Sequence, residues 1–247
     1  MIITVINQKG GTGKTTTVAA LLSYYFEQGR KALGVDLDPQ CNLTFATGAN
    51  IGGRSILGAI TGEASTAETI QATNTGDIIA GSQALAAADS ILTETGKEYK
   101  LREALEPIKG NYEHIIIDSP PALGVLSVNA LVAADTVLIP CQADLFSIQG
   151  LKQLENTFTT VKKYCNPGLK ISGILLTRHN GRTVLGRDLQ TVLENEAAAI
   201  GTKVFKQHIR DSVIIREAAA MQQGLFTLQG GAVDDYKAFI EEFEKGE

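Results

Sequence analysis

An α/β chain, built on a single doubly wound and mainly parallel sheet with helices on both faces, is what this sequence predicts. Three observations predict it. Apolar runs of strand length alternate with segments of helical period along the whole chain. Two of those runs end in acidic residues, at the strand end where an open parallel sheet gathers its ligand groups. The first run passes through a glycine-rich loop directly into a helical segment, a strand–loop–helix unit.

Residues 1–6 (MIITVI) read as the first buried strand and residues 17–26 (TVAALLSYYF) as the first helix. Between them lies Lys9-Gly10-Gly11-Thr12-Gly13-Lys14-Thr15-Thr16, a phosphate-binding loop. Its glycines let backbone N–H groups approach phosphate oxygens, and the helix N-terminus adds partial positive charge. Lys14 is placed to reach β- and γ-phosphates, and the Thr15 hydroxyl to ligate Mg2+. Residues 32–38 (ALGVDLD) form a second strand that ends in Asp36 and Asp38 before Pro39 breaks it.

Residues 47–75, rich in Gly, Ala, Ser and Thr, carry only weak helical patterning and are the least legible stretch. A short strand is expected at 78–81, then helices at 83–92 and 97–108. Residues 114–118 (HIIID) are a β-branched strand that carries Asp118 toward the metal side of the phosphate loop, opposite Thr15. Beyond it come a helix at 126–134, a strand at 136–140, a long helix at 147–164 and a strand at 171–177. A basic turn at 178–183 leads to a helix at 184–199, a last core strand at 204–209, and helices at 212–222 and 235–243. That gives seven or eight strands in one domain over residues 1–247, with no internal repeat and no linker-like tract.

The bulk properties exclude several classes. No run of 18 apolar residues exists, so no membrane span is expected, and the chain enters a strand at once, unlike a signal peptide. Cys41, Cys141 and Cys165 lie far apart without metal-ligand spacing, which fits a reducing cytoplasm. The net charge of −5 argues against a uniformly basic nucleic-acid binder. Residues 152–216 nevertheless hold 11 Lys and Arg against 5 Asp and Glu, so a positive face on an acidic body is possible.

Lys9, a second lysine at the head of the glycines, makes the loop resemble the deviant Walker A signature KGG-x-GKT-[ST] of ParA- and MinD-type ATPases. The resemblance continues through residues 36–42 (DLDPQCN) and 116–124 (IIDSPPALG), and covers nearly the whole chain in the manner of ParA/Soj partition ATPases. It implies ATP, ADP and Mg2+ as ligands and a nucleotide-sandwich homodimer in which Lys9 reaches the partner's phosphates. Lys14 and Asp38 complete the implied catalytic set, Asp38 placing the attacking water. Thr15, Asp36 and Asp118 are implied around the metal, with Asp36 supporting its water shell. Where the family has Ile-Pro-Arg-Asn-Val-Arg, this chain has residues 209–214 (IRDSVI), so Arg210 and Ser212 take the base-contacting places. Of two family arginines that bind DNA nonspecifically, Arg182 matches the first. Ile214 replaces the second, and Arg216 is its candidate substitute.

The implied function is an ATP-switched, DNA-binding partition ATPase stimulated by a ParB-like protein, cytoplasmic and associated with the nucleoid. A relative that positions protein cargo would keep the same core. A MinD-like membrane regulator would need a basic, membrane-lying C-terminal helix, whereas this terminus is acidic (Glu241, Glu242, Glu244, Glu247). A reductase of the nitrogenase iron-protein type would need a cluster-ligating cysteine pair, and a ligase-type synthetase a substrate pocket. No helix-turn-helix is expected ahead of the loop.

Overall fold

The computed structural model describes residues 1–179 and 184–246. Seven strands form one sheet: β1 (Ile2–Val5), β2 (Ala32–Asp36), β3 (Ile70–Thr73), β4 (Gly76–Ile79), β5 (His114–Asp118), β6 (Thr136–Cys141) and β7 (Lys170–Leu176). Their order is β3-β4-β2-β5-β1-β6-β7, and every neighbouring pair is parallel except β3 and β4. The helices are α1 (Lys14–Glu27), α2 (Asn42–Ala46), α3 (Ile56–Thr61), α4 (Thr66–Thr69), α5 (Ala88–Ile91), α6 (Lys100–Leu105), α7 (Val125–Ala133), α8 (Leu145–Tyr164), α9 (Val184–Ala199), α10 (Val213–Ala220) and α11 (Gly231–Lys245).

The central strands are apolar throughout because helices cover both faces. Ile3, Val5, Ile116, Leu138 and Leu175 point to one face, where Val18, Leu21 and Tyr25 of α1 and Tyr236, Phe239 and Phe243 of α11 pack on them. Leu33, Val35, Ile115 and Ile117 point to the other, against α3, α6 and α7. Farther along, Val137, Ile139, Ile174 and Leu176 meet Leu151 and Leu154 of α8 and Leu193 of α9. At Gly34 a Cβ would stand 2.6 Å from Leu22 Cδ1, so the missing side chain lets α1 lie directly on β2. That contact fixes the axis of α1, and with it the loop at its N-terminus.

Three expectations about the elements need correction. The strand expected at 204–209 is reduced to two bridges, Ile174 to Val204 and Thr177 to Ile209. The reason is competition: the N–H groups of Lys206 and Gln207 donate at 2.9 Å to the two oxygens of Glu242 on α11 instead of to a ladder. The illegible 47–75 stretch contains α3, α4 and the antiparallel edge strand β3, whose pairing with β4 no local pattern announced. The helices expected at 83–92 and 97–108 are each split between a 3₁₀ turn and a short α-helix. Among the described residues no helix is long and apolar enough to cross a membrane. The apolar side of α11 is buried in the core.

Candidate functional site: a phosphate loop between two acidic strand ends

The loop after β1 is held open by its backbone. Gly11 and Gly13 have φ of 74° and 88°, left-handed values that a side chain would strain. Gly13 is the N-cap of α1, where no side chain accepts a hydrogen bond, and the first turn has no acidic residue. The N-terminal amides of α1 are therefore left for an anion. Neighbouring strands pin the loop. Thr177 Oγ1 donates to the Thr12 carbonyl at 2.8 Å, and Gln142 Nε2 to the Gly11 carbonyl at 2.9 Å. Asn7 Nδ2 donates to Pro140 O at 2.7 Å, while its Oδ1 accepts from the Lys9 N–H at 3.0 Å.

Lys14 lies buried between the acidic strand ends and donates to the Lys9 carbonyl at 3.3 Å. Burial lowers its pKa, against the pull of Asp118 and Asp38. Asp36 and Asp118 are register partners across β2 and β5, yet their surroundings differ. Asp36 is fully saturated: Oδ2 accepts from Thr44 N at 2.8 Å and Thr44 Oγ1 at 2.6 Å, and Oδ1 accepts from Asp38 N at 3.1 Å. Asp118 is completely buried, and neither of its oxygens meets a donor at hydrogen-bonding geometry. Burial, and then Asp36, hold its carboxyl well above the usual range, with Thr15 and Lys14 pulling the other way.

A bare buried carboxylate beside a loop threonine fits a divalent cation that completes its shell with phosphate oxygens and water. Among the described residues no three His, Cys, Asp or Glu side chains are placed so as to hold a metal ion by themselves. Asp38 lines the cavity above the loop, its Oδ1 accepting from Gln40 N at 2.9 Å. That cavity, about 650 Å³, is bounded by Gly10, Gly11, Gly13, Lys14, Thr15, Thr16 and Asp38 and by an apolar wall from α1, α2 and α10.

Comparison with known proteins bears on this geometry. A family model described as an AAA domain matches residues 1–171. The sporulation initiation inhibitor protein Soj of Bacillus subtilis is 40% identical over 225 residues, 88% of this chain and 87% of its own. The chromosome partitioning protein ParA of Caulobacter vibrioides is 36% identical over 226 residues, 88% and 83% of the two chains. The chain belongs to the Soj/ParA family of partitioning ATPases. A crystal structure of cobyrinic acid a,c-diamide synthase from Mycobacterium smegmatis, with bound ATP analogue and magnesium, superposes with a TM-score of 0.85. It is 33% identical and covers 97% of this chain and 92% of its own.

Against that family pattern, the structure brings Lys14, Thr15, Asp36, Asp38 and Asp118 into one place and leaves other expected residues elsewhere. Lys9 is not among the residues lining the cavity; its ammonium pairs with Asp144 at 2.5 Å. Asp144 is also the N-cap of α8, accepting from Ser147 N at 2.9 Å. Arg210 and Ser212 are not among the residues lining the cavity. The Arg210 guanidinium is clamped on Asp235 by bonds of 2.7 and 2.8 Å, in a space that only glycine at 231 leaves free. The Ser212 hydroxyl caps α10. Arg216, expected on a DNA-facing surface, is among the residues that line the cavity. Arg182 lies outside the described residues.

Sequence reasoning missed Asp144, Thr44 and Asp235. Asp144 had a signal, an acidic residue directly ahead of an apolar helical run, which is how an N-cap reads. Thr44 and Asp235 had none, because their partners are 8 and 25 residues away.

Proposed function

We propose that this ParA-type ATPase binds ATP with Mg2+ on the Lys9–Thr16 loop, closes into a sandwich homodimer, and in that state holds double-stranded DNA without sequence preference. A ParB-like protein ends the state by stimulating hydrolysis, in the cytoplasm and on the nucleoid. The observation that carries the reading is the meeting of buried Lys14 with the donor-free carboxylate of Asp118 beneath the left-handed glycine loop.

Each residue has a task that follows from where it lies. The glycine amides and the N-terminus of α1 bind the phosphate chain, and Lys14 supplies charge where the transferred phosphoryl group becomes more negative. Thr15 and Asp118 would hold Mg2+, which would supply positive charge against the phosphates. Asp36, bound by Thr44 and the Asp38 amide, holds the turn after β2 that carries Asp38, and Asp38 places the attacking water. Lys9 leaves Asp144 and crosses to the partner's nucleotide. Arg182 and the exposed lysines of residues 152–216 face DNA, and pairing two subunits doubles those contacts. Because phosphate contacts release counterions, retention then falls steeply with salt.

The test is binding to random-sequence duplex in ATP, ADP and no nucleotide across a salt series, with hydrolysis measured in parallel. ATP-dependent, salt-sensitive binding that Lys14→Ala abolishes and Arg182→Glu weakens at unchanged ATP affinity is the expected result. Asp38→Ala should bind ATP and stay dimeric. Wild-type hydrolysis by Asp38→Ala refutes its water-placing role. An absence of DNA binding in every nucleotide state moves the function to a protein-directed switch.

A further inference from the structure

The cavity above the phosphate loop has an end that the nucleotide phosphates do not explain. Arg178, just beyond β7, and Arg216, in the first turn of α10, both line it. They come from elements far apart in sequence and approach the same carboxylate, Asp211, at 3.9 and 3.6 Å. Arg178 has φ of 49°, a left-handed conformation that a long side chain adopts at a cost. Its predecessor Thr177 packs on Gly13, 3.4 Å from where a Cβ would stand, so Arg178 sits directly beside the loop that takes the phosphates.

On α10 the spacing 215, 216, 218, 219 places Ile215, Arg216, Ala218 and Ala219 on adjoining sides of the helix, and all four line the cavity, with Gln223 beyond the helix end lining it too. Ala19 and Ala20 of α1 face them from the opposite wall. Small apolar side chains with a guanidinium at the rim suit a flat heteroaromatic ring, on whose face a planar cation stacks.

We propose that Arg216, flanked by Arg178 and 3.6 Å from the Asp211 carboxylate, is the nucleobase-contacting residue of this ATPase, in place of Arg210 and Ser212. Arg216 stacks on the base over the Ile215–Ala219 wall, with the Asp211 carboxylate keeping its charge partly balanced. This inference rests on the nucleotide-binding reading above, and it removes Arg216 from the DNA-facing set.

The experiment is calorimetric titration with Mg·ATP, ADP and inorganic tripolyphosphate on the wild type, Arg216→Ala and Arg216→Lys. Arg216 is 58% exposed, so neither substitution threatens the fold. Both variants should bind ATP and ADP about fivefold to tenfold more weakly, the loss of one partly desolvated guanidinium–ring contact, with tripolyphosphate affinity unchanged. Equal weakening toward tripolyphosphate would overturn the proposal, since Arg216 would then act on the phosphates. So would full affinity in Arg216→Lys, because charge alone would suffice. Unchanged nucleotide affinity with reduced DNA retention would return Arg216 to the DNA surface. A wild type that binds neither ATP nor tripolyphosphate would instead defeat the nucleotide-binding reading itself.

Discussion

His114 opens β5 on the edge of the core and makes stability depend on pH in a direction the structure fixes. Its ring stacks on Tyr25 with centroids 4.3 Å apart and planes 11° from parallel. Arg30 Nη2 lies 2.6 Å from its Nε2. A guanidinium is only a donor, so Nε2 must accept and the folded ring is neutral. Burial first, then Arg30, lower the pKa from 6.5 to about 4. The unfolded chain takes up this proton near pH 6.5, and the folded chain refuses it until about pH 4. Stability linked to His114 is therefore complete above the unfolded value and is lost as pH falls through that window. Between pH 7 and pH 5 the loss comes to about 2 kcal/mol for a fully shielded ring, and solvent access reduces it to about 1–1.5 kcal/mol. In a chain of this size that lowers Tm by about 2–6 °C. The assay is urea or thermal unfolding of wild type and His114→Gln from pH 7 to 5. Glutamine keeps an acceptor for Arg30 but does not titrate. His179 and His208, also lowered by burial, are common to both proteins and cancel in the difference. Parallel pH profiles for the two proteins would refute the reasoning, whatever their absolute stabilities.

Asp118→Asn removes a buried carboxylate that has no donor, so without ligand the variant should be more stable than wild type by about 1–3 kcal/mol. It should also lose the Mg2+-dependent part of the ATP-induced rise in Tm, and scanning fluorimetry with ATP, with and without magnesium, reads both effects. Gly173→Ala drives a Cβ to 2.5 Å from the Phe205 ring, which is packed edge-on against Phe239. The urea midpoint should fall by the equivalent of about 1–3 kcal/mol, and an unchanged midpoint would mean the ring moves freely. Glu242→Ala deprives the Lys206 and Gln207 amides of their acceptor, so hydrogen exchange should speed up at 205–209 and stay unchanged in β5.

Strands β1, β2, β5, β6 and β7 were legible because each is a short apolar run whose own residues determine its burial. The phosphate loop was legible for a similar reason, since glycine conformation and helix start are local properties. The antiparallel β3 was not, because a weakly patterned edge strand is selected by its neighbour β4 and not by its own sequence. Residues 204–209 read as a strand and failed to become one because Glu242, more than thirty residues on, took the amides a ladder needs.

The sequence by itself determined the chemistry of the phosphate end: which lysine, which hydroxyl and which strand-end acids are available, in an order that only a parallel α/β sheet brings together. Tertiary structure decided what those groups do to one another. Asp36 and Asp118 are equivalent as letters, but Thr44 saturates one and nothing saturates the other. Lys9 is a loop lysine until Asp144 takes its charge, and two nearby arginines part company because Asp235 clamps Arg210 while Arg216 lines the cavity. The physical reason is the same in each case. Backbone conformation is set within a few residues, whereas the state of a charged side chain depends on partners that only folding brings within hydrogen-bonding distance.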